Sequence, residues 1–233
     1  MKEKAISVKA LGIITAALFV AFAVFTVLVL TVDVQPIGPM GSEVGFAGMN
    51  GAVRDVFGAS DAWYTVSELL GLVAISVVGG FCALGACQLV RRKSLLKVDA
   101  EILLLGVFCV LLVAFYALFE MVVINCRPIL EDGALAASYP SSHTMLVCSV
   151  VGAASLALDR YIKGRAWEIV VDVVSSVVML ATVVGRLLSG VHWITDIIGA
   201  LLLSAALVGL YATALTLAQN RPQEALQTPE TNA

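Results

Sequence analysis

The sequence predicts an all-α membrane protein, a bundle of six transmembrane helices. Hydrophobic residues make up 60% of the 233 residues and charged residues 13%, whereas soluble domains average about 45–50% apolar and about 25% charged residues. The hydrophobic excess is arranged in long blocks, and about 20 apolar residues cross the hydrocarbon core as a helix. Six blocks reach or approach this length, at residues 10–32, 65–90, 102–124, 143–158, 167–188 and 195–218. We therefore expect residues 1–218 to form a single membrane domain.

The ends of these blocks define the predicted elements. The first block is too long for a signal peptide, and no small-x-small cleavage site follows it before Asp33. In the long first connection, Gly45–Phe57 has a pattern that allows a short helix on the surface, although an ordered loop is the simpler interpretation. The fourth apolar block is short because Asp159 follows it directly. Its helix is therefore expected to include polar residues at its start to reach the length of a span. Residues 219–233 are polar and are expected to form a disordered cytoplasmic tail.

Lysine and arginine are distributed unevenly among the connections, which predicts the orientation of the bundle. Eleven of the fourteen lie in the N-terminal segment, the second and fourth connections, or the C-terminal tail. The other side has only Arg54, Arg127 and Arg186. Because cytoplasmic loops carry the excess of positive charge, both termini are expected in the cytoplasm.

Three polar islands interrupt the hydrophobic blocks, and all three fall on the predicted outer face. Arg127-Pro128 follows the third block, Pro140-Ser141-Ser142-His143 opens the fourth, and Gly185–Asp196 joins the fifth block to the sixth. The chain has two histidines, and each lies in one of these islands. Residues that are distant in sequence but meet at one membrane surface indicate a functional site more strongly than any single motif.

His192 and Asp196 have the spacing of a nucleophile and the carboxylate that orients it. They are four residues apart and share a helix face if the sixth helix begins near them. A carboxylate bonded to one imidazole nitrogen fixes the tautomer and leaves the other nitrogen free to attack. The alternative is a histidine packed at a helix start beside a capping aspartate. Ionisable groups in or beside a membrane span are energetically unfavourable and usually functional, which favours the nucleophile.

The two arginines have the chemistry of phosphate ligands. A guanidinium offers a planar fork of donors that suits phosphate oxygens, and Gly190 allows the backbone between Arg186 and His192 to bend. The same reasoning applies to Arg127, where Pro128 would stop the third helix. The alternative is an arginine that reaches to the membrane interface, but such arginines are usually on the cytoplasmic face.

The island before the fourth block is typical of a helix start. Ser141 or Ser142 can cap the helix, and the unpaired N–H groups there form an anion site. His143 would lie in the first turn, where a general acid could protonate a leaving alkoxide. Ordinary capping by serine beside an interfacial histidine is the alternative.

Together these islands resemble the motifs of the type 2 phosphatidic acid phosphatase family. The family pattern is a lysine, six residues and Arg-Pro; then Pro-Ser-Gly-His; then Ser-Arg, five residues, His, three residues and Asp. The matching segments here are Arg127-Pro128, Pro140–His143 and Gly185–Asp196, with Ser142 in the glycine position and Gly185 in the serine position. By motif the resemblance covers about residues 120 to 199, and the six-span layout extends it across most of the chain.

The resemblance implies a metal-independent phosphatase that needs no cofactor. His192 would attack phosphorus and form a phosphohistidine, and Asp196 would orient it. His143 would protonate the leaving oxygen, and water would then release phosphate. The phosphoryl oxygens would be held by Arg127, Arg186, Ser141 and the backbone at Ser142.

One residue departs from the family pattern. The family's lysine falls on Glu120, seven residues before Arg127, and a glutamate reverses the charge. We expect Glu120 to pair with Arg127 or Arg186 and to position it, with Arg54 as a less favoured replacement for the missing cation. A catalytically weakened relative is the alternative.

The leading functional prediction is hydrolysis of a lipid phosphate or diphosphate at the outer face of a bacterial inner or plasma membrane. On family grounds undecaprenyl diphosphate is the first choice, ahead of phosphatidic acid and phosphatidylglycerophosphate. No nucleic-acid partner is expected. The alternatives are a phosphotransferase that uses an alcohol acceptor, and a transporter or binding protein for anionic lipids. The sequence has no internal repeat with paired broken helices, which argues against a transporter.

Overall fold

The computed structural model of the protein describes residues 7–220. In this range the backbone forms seven α-helices and two single 3-10 turns, and extended pairing is limited to three isolated bridges. The helices are α1 (Val8–Thr31), α2 (Ala47–Phe57), α3 (Asp61–Arg92), α4 (Ala100–Met121), α5 (Ser142–Leu158), α6 (Arg165–Leu188) and α7 (Ile194–Gln219). The predicted all-α class is confirmed. The predicted disordered tail lies outside the described residues, apart from Gln219, which ends α7, and Asn220.

Five helices are long and apolar enough to cross a bilayer, namely α1, α3, α4, α6 and α7. The remaining predicted span, α5, has 17 residues, a length of about 25 Å at 1.5 Å per residue, slightly short of a hydrocarbon core of about 30 Å. It lies inside the bundle in contact with α3, α4, α6 and α7, so protein rather than lipid covers most of it. The six-span arrangement therefore stays a prediction, with α5 as its short member.

The centre of the bundle is formed by α5 and α7, with α1 packed along α7. Small residues make this close approach possible, because helices in a membrane associate through tight packing rather than through the hydrophobic effect. On α5, Ala153 and Ala157 are fully buried, as are Ala200 and Ala206 on α7. The other faces of α1, α3, α4 and α6 carry many exposed large apolar side chains, as expected of a multi-pass membrane protein surrounded by lipid.

A polar cluster closes one end of the bundle. We call Arg92, Asp99, Glu101, Arg160 and Tyr161 the basal cluster. Asp99 accepts hydrogen bonds of 2.7 Å each from Arg92 and Tyr161, and Arg160 pairs with Glu101 over 3.2 Å. This cluster joins the α3–α4 connection to the α5–α6 connection. Both are connections that the distribution of lysine and arginine assigns to the cytoplasm.

The short helix α2 lies at the opposite end and covers the start of α7. Its formation matches the surface helix considered for Gly45–Phe57. Asn50 anchors it, because its amide donates to the carbonyl of Gly45 over 2.7 Å and to the hydroxyl of Thr195 over 3.0 Å. The backbone N–H of Thr195 donates back to Asn50 over 3.3 Å. The first long connection is therefore fixed against the segment that contains His192.

Candidate active site

The three polar islands meet at the end of the bundle opposite the basal cluster. The N–H of Ser141, just before α5, donates to the carbonyl of Asp196 in the first turn of α7 over 3.0 Å. The indole N–H of Trp193 donates to the carbonyl of Cys126 over 2.8 Å. These two bonds tie the segments before α5, after α4 and before α7 together, so residues that are more than 50 positions apart in sequence form one site.

His192 is held by a serine that stands between its ring and Asp196. The Nδ1 atom of His192 lies 3.7 Å from a carboxylate oxygen of Asp196, too far for a direct hydrogen bond. The hydroxyl of Ser138 lies 3.1 Å from Nδ1 and donates a short hydrogen bond to the same carboxylate. Because a hydroxyl has one proton to donate, Ser138 accepts from Nδ1–H. The Nε2 atom of His192 is therefore the nitrogen with a free lone pair.

Asp196 is fully buried and surrounded by donors. Its carboxylate accepts the backbone N–H of Trp193 over 2.9 Å and the amide of Asn125 over 3.4 Å, in addition to Ser138. It also lies in the first turn of α7, where the helix dipole favours negative charge. These contacts fix the carboxylate in place, and through Ser138 they fix the imidazole.

The reactive nitrogen of His192 is buried without a partner. Its side chain is 1% exposed, and among the described residues no donor or acceptor contacts Nε2. Burial lowers the pKa of His192 to about 4, against the opposing effect of Asp196, so the imidazole is neutral at physiological pH. His192 lines two narrow clefts, one with Glu120 and Ser142 and one with Arg54. An unpaired, unprotonated nitrogen beside such clefts is suited to attack an electrophile.

Arg186 and His143 form a second group of contacts with helix α3. One terminal nitrogen of Arg186 donates to Ser67 over 3.1 Å and to Glu68 over 3.0 Å. The other lies 2.8 Å from Nδ1 of His143, and Nε2 of His143 lies 3.1 Å from Glu68. Arg186 is fully buried, and its Nε atom has no partner within the described part of the chain. The predicted phosphate ligand and the predicted acid are thus in direct contact.

Arg127 and the serines complete the polar surface. Arg127 donates to the carbonyl of Ala137 over 3.3 Å and pairs with Glu131 over 3.4 Å, which holds the loop between α4 and α5 together. Ser141 is the residue before α5, as predicted, but its hydroxyl bonds the side chain of Thr144 over 3.1 Å rather than a backbone N–H. The N–H groups of the first turn of α5 therefore remain available to an anion.

A family model for the PAP2 superfamily matches residues 103–219, which is half of the chain. The chain belongs to the PAP2 superfamily. The matched region contains the three polar islands, and the resemblance to type 2 phosphatidic acid phosphatases that the motifs indicate is confirmed. No curated protein sequence matches the chain at a significant level.

A solved structure has the same fold as this PAP2 protein. It is described as the first transmembrane PAP2 type phosphatidylglycerolphosphate phosphatase from Bacillus subtilis, and it superposes with a TM-score of 0.63. The alignment covers 90% of this chain and 98% of the other at 16% identity. The likeness extends the PAP2 fold from the matched half to nearly the whole chain, including α1 and α3.

Glu120 does not make the ion pair that the sequence predicts. Arg127 pairs with Glu131 instead, and Arg186 pairs with Glu68. The spacing of seven residues aligns two side chains only while the helix continues, and α4 ends at Met121. Glu120 lines the cleft beside His192, so a positioning role for it in this PAP2 site stays a prediction.

Arg54 is an additional cation close to His192. Its guanidinium carbon is 5.4 Å from the centre of the Trp193 ring, and Arg54 lines the second cleft with His192. Within residues 7–220 Arg54 contacts this aromatic face and forms no ion pair with a carboxylate.

Sequence reasoning missed four polar residues of this PAP2 site: Ser138, Asn125, Ser67 and Glu68. For Glu68 a signal was present, because an ionisable residue within a predicted span is usually functional. Ser138 and Asn125 are adjacent to recognised islands but belong to no motif. Their roles follow from contacts with residues 54 to 71 positions away, which no local pattern contains.

Proposed function

We propose that this PAP2 protein is a membrane phosphatase that hydrolyses a lipid phosphate or diphosphate through a phosphohistidine on His192. The observation that carries the proposal is the state of the His192 imidazole. Its Nδ1 is tied through Ser138 to Asp196, and its Nε2 is buried, unprotonated and unpartnered among the described residues. A buried polar atom without a partner is energetically unfavourable, and bond formation to phosphorus would supply that partner.

In the first step the Nε2 lone pair attacks phosphorus. The N–P bond forms as the bond from phosphorus to the lipid oxygen breaks. The leaving oxygen takes a proton from the imidazolium form of His143, which becomes neutral. Charge develops on the phosphoryl oxygens, so fixed donors near them lower the barrier. The donors available are the buried guanidinium of Arg186, the cation of Arg127 and the N–H groups at the start of α5, including that of Ser142. Ser141 would join them once its hydroxyl turns from Thr144 to the phosphate.

In the second step water attacks the phosphohistidine. The N–P bond breaks, phosphate leaves, and the electron pair returns to Nε2 of His192. His143, which gave up its proton in the first step, accepts one from the attacking water, so the site returns to its starting state. The same acid and base then serve both halves of the cycle.

A lipid substrate fits the location of the site. His192 lies at one end of a bundle whose sides are apolar, and the ends of membrane-spanning helices lie near the lipid head groups. Undecaprenyl diphosphate remains our first choice on family grounds. The phosphatidylglycerolphosphate phosphatase with the same fold keeps that phospholipid and phosphatidic acid among the substrates to be tested. We further propose that the site faces the outside of a bacterial inner or plasma membrane.

We further propose that the reaction needs no metal ion, because His192 and His143 supply the nucleophile and the acid in this scheme. Each imidazole is engaged with its own carboxylate, Asp196 through Ser138 and Glu68 directly. Within residues 7–220 no group of three or more His, Cys, Asp or Glu side chains is arranged to hold a metal ion. We expect full activity in the presence of EDTA.

The test is phosphate release from a panel of lipid phosphates by the purified protein, with wild type beside His192→Ala. Wild type should release phosphate without added alcohol, and His192→Ala should lose at least about a thousandfold in kcat, because the nucleophile itself is removed. Ser155→Ala is a matched control, since Ser155 lies in the second half of α5, away from the site, and its hydroxyl bonds the carbonyl of Gly152 in the same helix. Full activity in His192→Ala would rule out the mechanism.

A further inference from the structure

One oxygen of Glu68 contacts both groups that the proposed mechanism directs at the substrate. It lies 3.0 Å from Nη1 of Arg186 and 3.1 Å from Nε2 of His143. The first of these is a proposed ligand of the phosphoryl oxygens, and the second is the proposed acid. No step of the phosphatase mechanism uses Glu68 itself.

The protons at this contact can be assigned from the donors. A guanidinium donates and never accepts, so Nδ1 of His143, which lies 2.8 Å from Nη2 of Arg186, must be the acceptor. In the empty enzyme the neutral imidazole therefore carries its proton on Nε2, which points at Glu68. His143 becomes the acid of the proposed mechanism when a second proton reaches Nδ1. The Glu68 oxygen thus receives one N–H from a guanidinium and one N–H from an imidazole. A phosphoryl or leaving oxygen would need these same two donors.

Glu68 is also the more exposed member of its pair with Arg186. Its side chain is 39% exposed, whereas that of Arg186 is 1% exposed. Arg186 is fixed by the hydroxyl of Ser67 and by the ring of Tyr64, whose centre lies 5.6 Å from the guanidinium carbon. A glutamate has several rotatable bonds and an open side toward solvent, so Glu68 can withdraw without a change in the backbone of α3.

We propose that Glu68 takes part in substrate binding by the site. In the empty enzyme its carboxylate occupies the position of a substrate oxygen on Arg186 and His143. The substrate displaces this carboxylate when it binds. This inference rests on the proposed function. It makes Glu68 a positioning residue, which keeps the guanidinium and the imidazole at the spacing of one shared oxygen until the phosphate arrives.

Burial explains why the empty site needs such a residue. An unpaired guanidinium that is removed from solvent is strongly unfavourable, and Arg186 is fully buried. Glu68 supplies the opposite charge when no substrate is bound. When a phosphate binds, it brings its own negative charge, and the exchange of one anion for the other leaves Arg186 neutralised in both states.

The test is the binding of inorganic phosphate to the purified protein, measured by titration calorimetry, in wild type and Glu68→Gln. Glutamine has nearly the same shape but no charge, so it competes less well for Arg186. We expect phosphate to bind about tenfold more tightly to Glu68→Gln, the effect of one charge-assisted hydrogen bond. Asp61→Asn is the matched control, because Asp61 is an exposed acidic residue seven positions earlier on α3. Its phosphate affinity should stay within about twofold of wild type, as expected for a surface charge.

A second variant separates contact from charge. Glu68→Asp keeps the charge but shortens the side chain by one methylene, so it should lose the shared contact and bind phosphate more tightly than wild type. Equal or weaker phosphate binding in Glu68→Gln, with measurable binding in wild type, would overturn the proposal for Glu68 alone. Absence of phosphate binding in all variants would overturn the proposed phosphate site together with it.

Discussion

At the residue scale, Ser138 determines how Asp196 acts on His192. The two side chains are 3.7 Å apart, and the serine hydroxyl bonds both. We expect Ser138→Ala to lower kcat about 10- to 100-fold, because it removes one hydrogen bond to a charged group that holds the imidazole. KM should change little, since Ser138 is not among the proposed phosphate ligands.

The measurement is steady-state phosphate release from a lipid phosphate in detergent micelles. Ser155→Ala again supplies the same chemical change in a partly buried serine away from the site. If Ser138→Ala retained wild-type kcat, Asp196 would have to act on His192 directly or not at all.

The residues of the site were predictable where a motif contains them. His192, Asp196, His143 and Arg186 follow from spacing, because each island has the residue types that the chemistry needs. Ser138 was not predictable, and Glu68 was marked only by its place in a predicted span, since both act on those residues across 54 and more than 70 positions of sequence. Such contacts depend on how α3, α5 and α7 pack, and the hydrophobic pattern gives the length of a helix but not its rotation.

At the element scale, hydropathy predicts the helices closely but not the places where they end beside the site. The predicted blocks coincide with α1 and α3 to α7 within a few residues. The predicted pairing of Glu120 was wrong because it assumed that α4 continues toward Arg127, whereas α4 ends at Met121. After α4 the chain turns to form the polar site, and the apolar content of the sequence alone does not indicate the residue at which this helix ends.

The basal cluster gives a prediction about the connections between helices. Burial would raise the pKa of Asp99, but hydrogen bonds from Arg92, Tyr161 and Gln88 outweigh it and lower the pKa to about 2. Asp99 therefore contributes stability that is present above its ordinary pKa of 3.8 and is lost as the pH falls through about 2. We expect Asp99→Asn to destabilise the protein by about 1 kcal/mol at pH 7, less than the full pKa shift corresponds to, because Arg92 and Arg160 are partly exposed to solvent.

Thermal unfolding in detergent measures this difference. The apparent unfolding temperature of Asp99→Asn should be several degrees lower between pH 5 and 8, and the difference from wild type should shrink below about pH 4. Asp55→Asn, at an exposed position on α2 and outside the predicted spans, should unfold like wild type. An equal effect of both substitutions would show that the basal cluster adds no specific stability.

At the scale of the whole molecule, charge and chemistry occupy opposite ends of the bundle. The basal cluster and the connections rich in lysine and arginine lie at one end, and His192 with its neighbours lies at the other. The sequence predicted this separation from the alternation of helices, because each crossing reverses the side on which the next connection lies. The contacts within the site could be learned only from the packed structure. The end of the bundle at which the site lies could be predicted from the number and order of the apolar blocks.

This separation predicts which surface is accessible from outside the cell. In a variant in which all five cysteines are replaced, single cysteines are introduced as Met40→Cys, in the connection before α2, and Leu96→Cys, between α3 and α4. Both positions are highly exposed, at 79% and 93%, so each should react when a reagent reaches it. A membrane-impermeant maleimide applied to spheroplasts should label Met40→Cys and spare Leu96→Cys, and lysed membranes should label both. The reverse labelling pattern would show that the site faces the cytoplasm, and the substrate would then have to come from the inner leaflet. The expected pattern would instead require that the lipid phosphate reach His192 from the outer leaflet, since no charged head group crosses the apolar interior of the bundle unaided.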